Sequence, residues 1–174
     1  IRDESPEGVR LRVHRALSWL QRAERERDDL DAAFLFHWIA FNAAYAADIS
    51  EPSVSNERAD FGKFFRRLIE ADRDQRVYEA IWTRYSQEIR LLLDNRYVFP
   101  PYWKHLNGEP AFADWDERLA RSRDRTQRAL ARGDVLVVLE TLFDRLYMLR
   151  NQLVHGGATW NGSVNREQVR DGAR

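Results

Sequence analysis

The stretch Val135–His155, VLVVLETLFDRLYMLRNQLVH, carries the longest amphipathic pattern in the chain and decides the fold class. At about 100° per residue, Val135, Leu139, Leu142, Leu146, Leu149 and Leu153 fall within about 40° of one direction. Leu136, Phe143, Tyr147 and Val154 make a second row about 100° away. A helix with two apolar stripes is buried on two sides: against its own bundle, and against another helix of the chain or a second subunit. Asp134 is a good N-cap ahead of the first apolar position, and Gly156 and Gly157 close the pattern. The spacing therefore predicts a helix over 135–155.

Working outward, Gly133 separates this helix from a charged one over 114–132. Residues 94–111, DNRYVFPPYWKHLNGEPA, hold two adjacent prolines and an Asn-Gly and are expected not to form regular helix. Val77, Ile81, Tyr85, Ile89 and Leu92 predict a helix near 74–93, and FGKFFRRLIEA (61–71) a shorter one. ISEPSVSNERAD (49–60) reads as a loop. The segment 31–47, DAAFLFHWIAFNAAYAA, is apolar nearly all round and predicts a central buried helix. Val13, Leu17 and Leu20 mark one face of a first helix over roughly 6–27. With no alternating strand pattern and no internal repeat, the expectation is an all-α bundle of five or six helices. Asn165 and Gln168 resemble a capping box, yet no apolar face follows before Arg174. Residues 1–174 thus read as a single helical domain whose C-terminal helix is cut short.

Composition narrows the function classes. Hydrophobic residues make up 44% and aromatics 12%, which argues for a folded globule rather than disorder. There is no cysteine, so disulfides and thiolate metal sites are excluded. No membrane span or signal-peptide pattern is visible, and the expected location is cytoplasmic. Lys+Arg and Asp+Glu both number 28, so no global basic field marks a nucleic-acid binder. Lys63 and Lys104 are the only lysines; the remaining cations are arginines, a bias that codon usage explains as readily as phosphate binding.

The helix at 135–155 ends on LRNQLVHGG. Asn151 and His155 lie four apart and share a face away from the core stripe, with Glu140 and Asp144 along the same side. Arg150 falls between the two apolar rows, roughly 140° from His155. To meet an imidazole it must reach around the helix or face one across a symmetric contact. A helix C-terminus favours positive charge, and imidazole is the side chain suited to proton transfer near neutrality. On residue chemistry alone, a capping role and a catalytic role both fit His155.

The order R-N-Q-L-V-H at 150–155, on the late helix of an all-α domain, resembles the signature of the HEPN superfamily: Arg, a polar residue that is often Asn, three further positions, and His. Arg150, Asn151 and His155 match it directly, and the flanking LxxLR and HG agree with it. The specific match is confined to this short segment, while the helices from about Val9 to His155 are compatible with a HEPN-like bundle. The resemblance implies a metal-independent endoribonuclease that acts on RNA as a homodimer and needs no cofactor. It further implies a role in stress response or defence, and an antitoxin or other regulatory protein as partner. In that scheme one His155 removes the proton from a ribose 2′-hydroxyl and the other protonates the leaving 5′-oxygen, leaving a 2′,3′-cyclic phosphate. Arg150 would hold the phosphate, Asn151 would orient His155 or the phosphate, and the second apolar stripe would be the dimer seam. HEPN toxins paired with nucleotidyltransferase antitoxins usually carry a Tyr two positions after the His. That position is Gly157 here, so this form of control is not expected. The same residues would also suit a non-catalytic HEPN-like interaction or nucleotide-binding module. A plain helical scaffold would instead pair Arg150 with a carboxylate such as Asp144 or Glu140.

Weaker signals remain. In 95–108, Tyr97, Phe99, Tyr102 and Trp103 interleave with Arg96, Lys104 and His105. Such a segment either stacks single-stranded RNA or is pinned across the bundle by its rings. His37 and Asn42, inside the apolar second helix, are expected to make structural hydrogen bonds. Arg121, Arg123, Arg125 and Arg128 read as a solvated face diluted by Asp116, Glu117 and Asp124.

Overall fold

The computed structural model describes residues 6–45, 57–163 and 166–173, which contain α-helices and short turns and no strand. The helices are α1 (Pro6–Ala23), α2 (Leu30–Tyr45), α3 (Glu57–Ala71), α4 (Arg76–Glu79), α5 (Ser86–Asp94), α6 (Pro100–Leu106), α7 (Trp115–Arg132), α8 (Val135–Val154) and α9 (Arg166–Gly172). The all-α class holds. The described residues form nine helices rather than five or six, because α4, α6 and α9 span seven residues or fewer and are too short to show a period. The loop expected at 49–60 is already helical from Glu57, the start of α3. Residues 46–56 and the capping position Asn165 lie outside the described residues.

Helix α8 is the axis of the core. Asp134 caps it by accepting the Val137 N–H at 3.1 Å, and Gly133, at φ 71°, ends α7 immediately before. Its buried face carries Val138, Leu139, Leu142 and Leu149 against Phe34 and Trp38 of α2, Phe61 and Phe65 of α3, and Ile89, Leu92 and Leu93 of α5. The row Phe143–Tyr147, expected to serve as a seam between subunits, is covered within the chain. The Phe143 ring centroid lies 4.4 Å from Phe41 and 4.8 Å from Phe65, and Tyr147 lies 6.0 Å from Trp38. Because α2 is apolar on nearly every side, it can cover this second row while packing α1 on its back. Val154, at the end of the row, is exposed.

Helix α1 turns its leucine face outward. It lies on α2 through the half-buried row Gly8, Arg12 and Ala16 and the buried Ala23, with Trp19 stacked on Phe36 at 5.7 Å. Gly8, Ala16 and Ala23 in this row permit close approach, and Val13, Leu17 and Leu20 face outward and exposed.

The helix expected over 74–93 is broken by a π-turn at Ala80–Arg84 between α4 and α5. The apolar positions 77, 81, 85 and 89 explain it. Three steps of four residues overrun the 3.6-residue turn by about 120°, and the one residue inserted by a π-turn removes about 100° of that drift. Ile81, Ile89, Leu92 and Leu93 all reach the core as a result.

Residues 94–111 correct the sequence expectation in part. Pro100 and Pro101 sit at the first helical positions of α6, where the missing N–H costs nothing, so the double proline starts a helix instead of preventing one. Single 3-10 turns at Arg96–Val98 and Pro110–Phe112 flank it.

The expectation that no apolar face follows 165 is likewise overturned. Val169 of α9 is fully buried, and a Cβ on Gly172 would stand 3.1 Å from side-chain atoms of Leu149 and Phe34 and 3.2 Å from Leu146. Asp31 anchors the segment. Buried on α2, it accepts two hydrogen bonds from Arg166 Nη2, at 2.6 and 2.7 Å, and one from the Asn161 N–H at 2.7 Å. Asp29, which caps α2 through the Ala32 N–H, also receives Trp160 Nε1 at 3.0 Å. No described helix is long and apolar enough to cross a membrane.

Candidate functional site

The end of α8 is built by a C-terminal cap. The His155 N–H returns to the Asn151 carbonyl, Gly156 turns left-handed at φ 70°, and the Ala158 N–H closes onto the Gln152 carbonyl at 3.0 Å. Only glycine takes φ near +70° without strain, so the Gly after His155 fixes where the helix stops. His155 is thereby held at the lip of the helix, exposed to solvent.

One turn back, Arg150 is half-buried. Its Nη1 donates to Asn151 Oδ1 at 2.9 Å, and its guanidinium carbon lies 5.7 Å from the Tyr147 ring centroid. Its Nε is buried with no hydrogen-bond partner. No carboxylate pairs with it among the described residues; the acid nearest in sequence, Asp144, faces Arg145 instead, at 3.8 Å. Asn151 therefore addresses Arg150 rather than His155. The three residues sit together on the last turns of α8, with the Arg150–Asn151 pair made and the His155 imidazole unpaired among the described residues. Among the described residues, no three His, Asp or Glu side chains gather as a metal site.

Beneath this surface is a layer that sequence reasoning missed. Arg145 is 1% exposed and Gln152 5% exposed, and both line up with the fully buried Val138 at intervals of seven residues. That recurrence is the signal by which the row could have been found. Gln152 Nε2 donates to the Tyr97 carbonyl at 2.7 Å, as does Trp103 Nε1, so two side chains clamp one backbone oxygen of the strap at 96–99. Arg145 lies 4.4 Å from the Phe99 ring centroid and donates to Ser122 Oγ at 2.9 Å. Burial pushes its guanidinium down to about 10, aided by Arg123 and opposed by Asp144.

The aromatic segment is thus pinned to the bundle. Val98 and Phe99 are buried, Tyr102 meets Tyr97 and Trp115 edge-on at 5.7 and 4.9 Å, and Arg96 lies over Tyr97. Three of the four clustered arginines of α7 are engaged: Arg121 with Glu117 and Asp114, Arg123 with Asp94 of α5, and Arg128 with the Asp124 carbonyl. Asn42 departs from expectation, since its buried Oδ1 accepts no hydrogen bond, and His37 makes none among the described residues.

The fold and site define an all-α bundle with a polar Arg–Asn–His terminus on its central helix. Comparison with protein families, characterised proteins and solved structures finds no match for this chain.

Proposed function

We propose that this chain is a HEPN-type, metal-independent endoribonuclease that works as a dimer, with Arg150, Asn151 and His155 at its site. The observation that carries the reading is an unneutralised guanidinium: Arg150 is held by Asn151 and Tyr147, paired with no described carboxylate, and one helical turn from the solvent-exposed His155. A plain scaffold would have matched this charge with Asp144 or Glu140. An RNA phosphate supplies the missing anion, and a planar guanidinium binds it through two parallel N–H groups. Asn151 holds that plane in place.

In the reaction, His155 takes the 2′-hydroxyl proton as the 2′-oxygen attacks phosphorus. The bond from phosphorus to the 5′-oxygen breaks, and His155 of a second copy protonates the leaving oxygen. The product is a 2′,3′-cyclic phosphate and a free 5′-hydroxyl. Arg150 stabilises charge on the phosphate oxygens as it develops. The Phe143–Tyr147 row is taken up inside the chain, so the two copies would meet through the exposed end of α8 around Val154 and His155.

The deciding experiment is cleavage of structured and unstructured RNA in EDTA by the protein and by His155→Ala, with analysis of the new ends. Cleavage lost in the variant, with cyclic phosphate ends, is the expected result. Equal background in both proteins sinks the enzymatic reading in favour of a non-catalytic phosphate-binding module.

A further inference from the structure

A cleft of about 480 Å³ lies between α5 and α7, away from the α8 terminus. Its volume is that of small-molecule sites, which run from roughly 300 to 1,000 Å³. The floor is apolar, from Leu93 and Leu130, and the lip is Leu91, the exposed leucine of amphipathic α5. Carboxamides stand on both walls, Gln87 from α5 and Gln127 from α7.

The charges are arranged unequally. Arg123 is tied to α5, pairing with the Asp94 carboxylate and donating to the Asp94 carbonyl at 2.7 Å, so these two charges cancel and the wall they form is fixed. Arg90, on the same wall, has no hydrogen-bond or ion-pair partner among the described residues. Two cations and one carboxylate leave the lining with one unmatched positive charge. A cleft with a leucine floor, polar walls and one free guanidinium suits an organic monoanion; a polyphosphate would require more donors and would meet Asp94.

The π-turn at Ala80–Arg84 sets the rotation of α5, and with it which of its residues reach the cleft. It precedes α5 directly and turns every later residue by about 100° relative to an unbroken helix. Trp82 within it is tied to α7 by Nε1 donating to the Leu130 carbonyl at 3.0 Å.

We infer that the α5–α7 cleft is a binding site for a small organic monoanion, of the carboxylate or sulfonate class, with Arg90 at the charged end and Leu91, Leu93 and Leu130 around the apolar part. The inference stands independently of the ribonuclease reading. The test is fluorescence titration of the full chain with 8-anilinonaphthalene-1-sulfonate and with its uncharged relative N-phenyl-1-naphthylamine. A single saturable site is expected for the sulfonate. Arg90→Ala should weaken the sulfonate about tenfold, the loss of one charge-assisted contact, and change the neutral dye less than about twofold. Leu91→Asp should abolish binding of both, and Leu17→Asp on the exposed face of α1 should alter neither. No saturable binding, indifference to both cleft variants, or loss of binding in Leu17→Asp would each overturn the assignment, the last by placing the dye on α1.

Discussion

Two arginines five residues apart on α8 have opposite fates, and the difference is chemical. Arg145 is enclosed, with Ser122 Oγ and the Phe99 ring as close partners and Asp144 only at 3.8 Å. Desolvating a cation costs several kcal/mol, and such weak pairing offsets only part of that. Arg145→Met keeps most of the volume and removes the charge; its stability to urea should match the parent within about 1 kcal/mol or exceed it. Arg145→Ala leaves a cavity and should cost about 3 kcal/mol. Equal and large losses in both variants would mean that the charge itself holds the fold. Arg150 is instead only half-buried and pairs with no described carboxylate, and the proposed function assigns it to phosphate binding. Arg150→Lys keeps the charge but loses the planar fork, and RNA cleavage should fall about 100-fold while the melting temperature stays within a few degrees. An undiminished rate would remove Arg150 from the site.

At the scale of elements, legibility followed the length of the pattern. Asp134, Gly133 and the glycine pair fixed both ends of α8, and its leucine spacing fixed its class. The buried direction of α8 was harder to read, because Arg145 and Gln152 look like surface residues until the strap that receives them is seen. The leucine row of α1 does not reveal its contact face, because small residues make that contact, and α6 is hidden because a double proline at a helix start resembles one that prevents a helix. α9 escaped because seven residues show no period; its docking rests on the buried Val169, the close approach at Gly172 and one ion pair. Gly172→Ala would place a methyl group against Leu149, Phe34 and Leu146, and should destabilise by about 1–3 kcal/mol through overpacking. The Asp31–Arg166 pair should respond asymmetrically. The Asp31 side chain is 6% exposed and that of Arg166 29%, so Arg166→Ala strands a buried carboxylate while Asp31→Ala frees a cation that can reach water. Arg166→Ala should therefore cost more, about 3 kcal/mol or above, and equal losses in chemical unfolding would refute the asymmetry.

For the whole molecule, balanced charge and an exposed apolar face act together with one half-buried imidazole. Formal net charge is zero at pH 7, so long-range repulsion between copies is minimal there while Val13, Leu17 and Leu20 stay exposed on α1. The pH dependence of folding has a definite sign at His37. Burial lowers its pKa below 6.5, with Glu24 opposing, and no hydrogen bond to a described residue compensates. Below the folded-state value both states hold the proton, and the folded state carries the cost of an enclosed cation. Between that value and 6.5 the unfolded chain binds the proton more fully than the folded one, so stability rises with pH across this window. Above 6.5 both states are neutral and this contribution is flat. Urea unfolding at intervals from pH 5 to 8 should show the rise in the parent, and His37→Gln, neutral throughout, should lack that increment. The imidazole belongs to α2, which is shared by α1 on one side and by the core on the other. Loss of the rise together with an unchanged far-UV spectrum would assign the effect to protonation at this helix. A rise of equal size in the variant would exclude His37 as its source.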